Sequence, residues 1–133
     1  MQIRFANEND KLSAIRSLQK NQTPFCTTAQ LKEDLSLGRL IVAEENGKLL
    51  GSCAIVNEPN WNYTAIKRLI VYSKKSRGKG IADKLIKYVI SLNLGVIGAT
   101  PWEDNFITRH LFEKNGFNFQ YTFMGNYCFY KRD

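Results

Sequence analysis

The sequence predicts an α/β domain on a mixed sheet, because short β-branched or aromatic runs alternate with stretches of helical periodicity. Two signals anchor that expectation. Asn46-Gly47, set between two apolar runs, is the strongest short turn signal in the chain and marks a hairpin. Ile81, Leu85 and Val89, with Ala82, Ile86 and Ile90 beside them, form the apolar stripe of a long amphipathic helix. The 133 residues suit one domain, spanning 1–133, and no internal repeat, low-complexity tract or Pro/Gly/Ser linker divides them.

The elements follow in order. Residues 2–5 (QIRF) alternate as a short strand, and Leu12, Ile15 and Leu18 recur at helical spacing after Asp10, a candidate N-cap. A second helix is predicted over 28–37: Thr27 and Gln30 have capping-box spacing, Leu31 and Leu35 share a face, and Gly38 stops it. The hairpin RLIVAEE-NGK-LLGSCAIV comes next, then a polar loop at 57–62 and a strand at 63–72 (YTAIKRLIVY). A basic loop leads into the amphipathic helix, which runs to about Leu92, and a strand is expected at about 95–101. Asp104 is expected to cap a helix carrying Ile107, Leu111 and Phe112, which Asn115-Gly116 closes. Two strands around a Met124-Gly125 turn end the chain, giving β-α-α-β-β-β-α-β-α-β-β.

Composition narrows the class. Hydrophobic residues make up 44% and aromatic residues 12%, enough for a real core. No apolar run approaches the roughly 18–20 residues of a membrane span. The opening MQIRFANEND has neither the apolar stretch nor the small-residue cleavage site of a secretory leader. Cys26, Cys53 and Cys128 stand far apart, with no CxxC pair and no His at metal spacing, so neither a metal site nor a disulfide framework is expected. A reducing cytoplasm is the simplest setting, and no membrane partner is expected. The net charge of +7 invites a nucleic-acid partner, yet the cations are spread along the chain apart from one concentration at Lys74, Lys75, Arg77, Lys79 and Lys84.

That concentration sits where the chemistry is most legible. In Val71-Tyr72-Ser73-Lys74-Lys75-Ser76-Arg77-Gly78-Lys79-Gly80-Ile81-Ala82, a strand gives way to a short basic loop, and glycines open a helix. A helix N-terminus leaves its first amides unpaired and carries a partial positive charge, so it takes phosphate oxygens through the backbone. Glycines let the chain turn tightly and let a diphosphate come close. The spacing is neither the GxxxxGK[ST] of a Walker A loop nor the GxGxxG of a dinucleotide fold. The alternative, a merely flexible basic turn, fits RGKG in isolation but not its place between a strand and an amphipathic helix.

Here the chain resembles the GCN5-related N-acetyltransferase (GNAT) family. The family's [Q/R]-x-x-G-x-[G/A] is matched by Arg77, Gly80 and Ala82, and a second motif is matched by Asn105, Thr108, Phe112, Gly116 and Phe117. The likeness covers about residues 66–131 well, and the first 65 only as a pattern of elements. It implies a mixed, mostly antiparallel sheet flanked by helices, with acetyl-CoA as acyl donor and no metal. Backbone amides of about Gly78, Lys79, Gly80, Ile81 and Ala82, with Arg77 in the motif, would hold the pyrophosphate. Backbone groups of Ile70, Val71 and Tyr72 would pair with the pantetheine arm, and Asn105 would touch it. Lys74, Lys75 and Lys79 would meet the ribose 3′-phosphate.

The implied reaction is N-acetylation of a primary amine, carried by a small molecule or a peptide, through direct attack on the thioester. It needs a neutral amine, donors for the oxyanion and a route for the thiolate to leave. An amide at about Ile70–Tyr72 is a candidate oxyanion donor. Many relatives carry a Tyr acid where this chain has Phe112, and a Glu in a strand that here reads Ala65-Ile66-Lys67-Arg68-Leu69. Tyr127, at the start of the last strand, is the candidate replacement acid, with pocket lining as the alternative. Glu58, Glu103 and Asp104 are candidates to bind or deprotonate the amine. Trp61, Tyr63, Trp102 and Tyr127 are candidates for an acceptor pocket or for packing, His110 reads as a surface residue, and Cys53 and Cys128 as buried thiols. A CoA-binding module without turnover is the second reading and a basic nucleic-acid-binding domain the third. A homodimer is compatible with the sequence.

Overall fold

Strands β1 (Gln2–Phe5), β2 (Leu40–Glu45), β3 (Lys48–Glu58), β4 (Tyr63–Val71), β5 (Ile97–Ala99), β6 (Asn118–Phe123) and β7 (Tyr127–Arg132) form one mixed sheet in the order β1-β2-β3-β4-β5-β7-β6. Helices α1 (Thr28–Ser36), α2 (Ile81–Ser91) and α3 (Phe106–Lys114) and a 3₁₀ turn (Lys74–Ser76) accompany it. This computed structural model describes residues 1–13, 15 and 26–133. Leu12, Ser13 and Ile15 are helical as the spacing predicts, while Leu18 lies outside the described residues. No helix among the described residues is long and apolar enough to cross a membrane. The chain divides into two compact units: Met1–Ala54 with Arg68–Leu85, and Ile55–Lys67 with Ile86–Asp133.

In the first unit, β2 pairs antiparallel with β1 and with β3, and the β2–β3 turn places Asn46 and Gly47 at φ 53° and 78°, the paired left-handed conformation of a tight hairpin. The capping box forms as its spacing predicts. The Gln30 amide donates to the Thr27 hydroxyl at 3.1 Å, and the Thr27 amide to the Gln30 side chain at 2.8 Å. So oriented, α1 turns Leu31 into a core shared with Leu12, Ile15, Cys26, Leu40, Val42 and Tyr72. One turn later it buries a carboxylate, Asp34, at 0% exposure. A charge withdrawn from water needs partners, and Asp34 has two. Arg39 donates through Nε at 2.8 Å, and Arg68 through Nε at 2.8 Å and Nη2 at 2.6 Å. Arg68 stands within β4 at φ 51°. Left-handed backbone is uncommon for a side-chain-bearing residue and breaks the pleat of a strand.

In the second unit, the start of β4 runs parallel to β5, with Thr64, Ala65 and Ile66 opposite Ile97, Gly98 and Ala99. β7 lies antiparallel between β5 and β6. α3 packs Phe112 edge-on against Phe117 with ring centroids 5.0 Å apart. It also reaches the fully buried Tyr130 of β7, whose hydroxyl accepts from Arg109 Nε at 3.0 Å and donates to Glu113 at 3.3 Å.

Two capping expectations change. The cap of α3 is Asn105, whose side-chain oxygen accepts from the Thr108 amide at 3.2 Å. Asp104 is one residue early for the third helical amide, and its carbonyl instead receives the Phe106 amide at 3.0 Å. The Asp10 carboxylate is engaged by Arg4, at 3.1 and 2.9 Å, and by the Asn7 amide at 2.7 Å. Arg4 holds that carboxyl below its usual range. β5 is shorter than the predicted 95–101, and beyond it the pairing with β7 is limited to the isolated Trp102–Tyr127 bridge.

Asp34→Ala strips both arginines of their acceptor while keeping the helix-forming backbone. Urea denaturation should show a loss of about 3–5 kcal/mol, against less than 1 kcal/mol for truncating the exposed neighbour Lys32.

Candidate functional site

The basic loop begins where β4 is pinned. The Tyr72 ring is buried in the first unit's core, and its amide donates to the Leu50 carbonyl at 2.9 Å. Backbone groups alternate across a strand, so Val71 directs its amide to the edge of β4 opposite β3. The chain then closes a 3₁₀ turn, Lys74–Ser76. The Ser76 amide meets the Ser73 carbonyl at 3.1 Å, and the two serine hydroxyls lie 3.0 Å apart. Ser76 is buried by this closure, whereas Lys75, Arg77 and Lys79 are exposed.

Gly78 and Gly80 follow at φ 79° and 76°, which only glycine adopts without strain. The first helical bond, Lys84 amide to Gly80 carbonyl at 3.0 Å, makes Gly80 the residue before α2. The amides of Ile81 and Ala82 therefore lie in the first turn, ahead of the first bond within the helix. A Cβ placed on Gly78 or Gly80 would meet nothing within 4 Å, so the surface over the loop is open. Beneath the loop, Ile81 is held by Gly51 of β3. A Cβ at Gly51 would stand 2.8 Å from the Ile70 carbonyl oxygen and 3.0 Å from Ile81 Cγ2. Residues 70–72 and 77–82 are thus gathered in the first unit.

Asn105 and Tyr127 belong to the second unit. Asn105 spends its carboxamide oxygen on the cap, which leaves the Nδ2 donors out of that bond. Tyr127 lies beside the residues that follow β5. The Glu103 amide meets the Asn126 carbonyl at 2.8 Å and the Cys128 amide meets the Pro101 carbonyl at 2.9 Å. The Tyr127 ring is edge-on to Trp102 at 5.6 Å and stacked on Phe123 at 5.6 Å. Glu58 faces Lys67 at 4.0 Å, Glu103, Asp104 and His110 are exposed, and Cys26, Cys53 and Cys128 are buried free thiols. Burial pushes the Cys53 thiol up to about 12, which keeps it protonated and inert. No group of three or more His, Cys, Asp or Glu is placed to hold a metal ion among the described residues.

The second unit also contains a cavity of about 590 Å³, lined by Trp61, Tyr63, Tyr121, Phe123, Phe129 and Lys131, with Asn62, Val96 and Thr100. Of the four aromatic candidates from the sequence, Trp61 and Tyr63 line it, whereas Trp102 and Tyr127 pair with each other. Burial, and then Glu58 and Tyr121, raise the Tyr63 phenol, so it is neutral at physiological pH.

Residues 36–119, from the end of α1 into β6, match the family model of the acetyltransferase (GNAT) domain. The chain belongs to the GNAT family. Solved structures agree in fold. An acetyltransferase of the GNAT family from Bacillus cereus superposes with a TM-score of 0.83 at 19% identity, covering 99% of this chain and 96% of that one. Ribosomal-protein-alanine N-acetyltransferase from Brucella melitensis gives 0.76 at 18% identity, covering 99% of each. Ribosomal-protein-S18-alanine N-acetyltransferase from Escherichia coli gives 0.79 at 14%, covering 98% and 92%. No curated protein matches the chain in sequence. GNAT domains use acetyl-CoA as donor, and acyl transfer from it is the family's general activity.

Against that GNAT background, several residues were not singled out in the sequence. Gly51 supports the glycine loop from below, and Tyr121, Phe129 and Lys131 line the cavity. Period-two spacing of Tyr121 with Phe123, and of Phe129 with Lys131, carried the signal for the last three, since such pairs share one sheet face. Gly51 had none, because only the approach of Ile70 and Ile81 reveals why a side chain is excluded.

Gly80→Val would set a β-branched side chain at a left-handed position, in the open space above the loop. In protein that retains its circular dichroism, calorimetry should show acetyl-CoA affinity falling about tenfold or more, the scale of one or two lost hydrogen bonds to a charged group. Unchanged affinity would remove this loop from donor binding.

Proposed function

We propose that this protein transfers an acetyl group from acetyl-CoA to the primary amine of a small molecule or peptide, by direct attack of the neutral amine on the thioester. The observation that carries the reading is the paired left-handed glycines, Gly78 and Gly80, which open α2 directly after β4. A diphosphate suits that surface: the backbone curves from Gly78 to Gly80, the amides of Ile81 and Ala82 lie at the positive end of α2, and no Cβ stands on either glycine. Exposed Lys75 and Lys79 supply charge for the 3′-phosphate, the side chain of Lys74 lies outside the described residues, and Arg77 completes the motif. The edge of β4 at Ile70, Val71 and Tyr72 is assigned to the pantetheine arm, with Val71 as the amide turned from β3. Asn105 is assigned a contact to the same arm through its Nδ2 donors.

The donor supplies an activated acyl carbon and a thiol leaving group of ordinary acidity, near pH 8–9. The protein's tasks are positioning and charge stabilisation. A β4 amide is assigned to the developing oxyanion, and Tyr127 to the proton that the departing sulfur takes up. Phe112 has no proton to give and is packed on Phe117. That packing, with a β4 that contains no acid, also favours a second reading, a CoA-binding protein with little turnover. The buried thiols of Cys26, Cys53 and Cys128 suit a reducing cytoplasm.

Mass spectrometry of the products formed from acetyl-CoA and a panel of primary amines separates the two readings. Acetylated amine at enzymatic rates is expected, and donor binding without product would leave only the second reading. In the same assay Tyr127→Phe should lower kcat about 10²–10⁴-fold if the hydroxyl is the acid. A change of a few-fold would reassign that proton to water.

A further inference from the structure

We propose that the aromatic cavity of the second unit holds the body of the acceptor, and that this acceptor is a planar, largely apolar amine carrying a carboxylate or similar anionic group. The inference rests on the acetyl-transfer reading, because it concerns that reaction's second substrate.

The cavity is built on a glycine. A Cβ at Gly98 would stand 2.6 Å from Tyr63 Cδ2 and Cε2 and 3.0 Å from Phe129 Cε1, so both rings lie directly on the backbone of β5. From that floor the rings continue outward. Tyr63 and Phe129 meet at 5.4 Å and 50°, Phe129 and Tyr121 at 5.4 Å and 47°, and Tyr121 and Phe123 at 6.2 Å and 70°. Trp61 is 72% exposed at the rim. Tilted rings present π-faces and apolar edges together, the surface on which a planar group stacks. The volume of about 590 Å³ lies in the range of small-molecule sites. Trp61, Asn62, Tyr63 and Val96 lie at the starts of β4 and β5 and Thr100 just past the end of β5, so the cavity runs along the sheet face and not at one strand end.

Charge selects within that class. Ring faces alone would also welcome a cation, but Lys131 is the one charged residue lining the cavity among the described residues. Its nearest acid, Asp133, lies 3.5 Å away and is itself 76% exposed, so the ammonium is weakly held. Glu58 is felt at Tyr63 but is not part of the lining, and it faces Lys67 at 4.0 Å, which offsets its charge. A polyamine would bring further positive charge to Lys131, whereas a carboxylate would pair with it. Asn62 and Thr100 add neutral hydrogen-bonding groups.

The test is calorimetry on the full chain with L-phenylalanine and phenethylamine, which differ only in the carboxylate, and with spermidine. L-phenylalanine should bind about tenfold more tightly than phenethylamine, the scale of a charge-assisted hydrogen bond, and spermidine should not bind. Lys131→Met should abolish the preference while the apolar contribution remains. Gly98→Leu, which drives the two rings into the cavity, should weaken both aromatic amines. The proposal is overturned if the preference survives Lys131→Met, if spermidine binds as well, or if neither aromatic amine saturates the protein at millimolar concentration. It is also overturned if sedimentation finds a dimer that Trp61→Ala dissociates, since a second copy would then cover the cavity. Acetyl-CoA titrated into the same samples keeps the two claims apart. Loss of donor binding in the parent protein defeats the acetyl-transfer reading, whereas the cavity is judged on the amines alone.

Discussion

The Asp34 carboxylate, buried between Arg39 and Arg68, is the constraint on which the first unit's geometry rests. Holding a side-chain-bearing residue in left-handed backbone costs about 1–3 kcal/mol, and a buried ion pair left without one partner costs about 3–5 kcal/mol. The pair therefore outweighs the strain, and Arg68 keeps its φ of 51°. Two residues later comes Ile70, which Gly51 allows to lie close against β3, then Tyr72, anchored in the core, and then the glycine loop. Each of these depends on β4 leaving Arg68 in one direction. A carboxylate on α1 thus governs backbone amides that it never touches.

The second unit solves a different problem, which is how to keep one face of a sheet occupied and the other available. On the α3 side, Tyr130 is fully buried and both its hydroxyl bonds go to side chains of one helix, Arg109 and Glu113. Phe112 and Phe117 close the same face. Phe112 is best understood there as a packing residue, and this fits its failure to carry the phenol found in many relatives. At Gly98 the backbone stays bare, and the rings of Tyr63 and Phe129, which line the cavity, occupy the space that a Cβ would take.

Much of the fold was legible because local chemistry specified it. The Thr27–Gln30 capping box, the Asn46-Gly47 turn and the Ile81-Leu85-Val89 stripe each state their structure within a few residues. The shape of the glycine loop was legible for the same reason, since glycines that turn the chain ahead of a helix are a local backbone feature. Contacts between residues far apart in the chain were not. Asp34 and Arg68 are 34 positions apart, and nothing in α1's pattern marks an acid that faces inward. Asp104 and Asn105 are both good caps, and only the helix start at Phe106 decides between them. The cavity needed the β5–β7–β6 order before Tyr63, Tyr121, Phe129 and Lys131 could be seen to share a face.

The claim that left-handed backbone at position 68 sets the donor-binding edge is tested most directly by comparing Arg68→Gly with Arg68→Ala. Both lose the ion pair, but glycine adopts φ near 51° freely and alanine does not. Acetyl-CoA affinity, measured by calorimetry on samples shown to be folded, should fall for Arg68→Gly, because nothing then ties β4 to Asp34. For Arg68→Ala it should fall about tenfold further, the effect of roughly 1.4 kcal/mol. Equal affinities in the two variants would contradict the account.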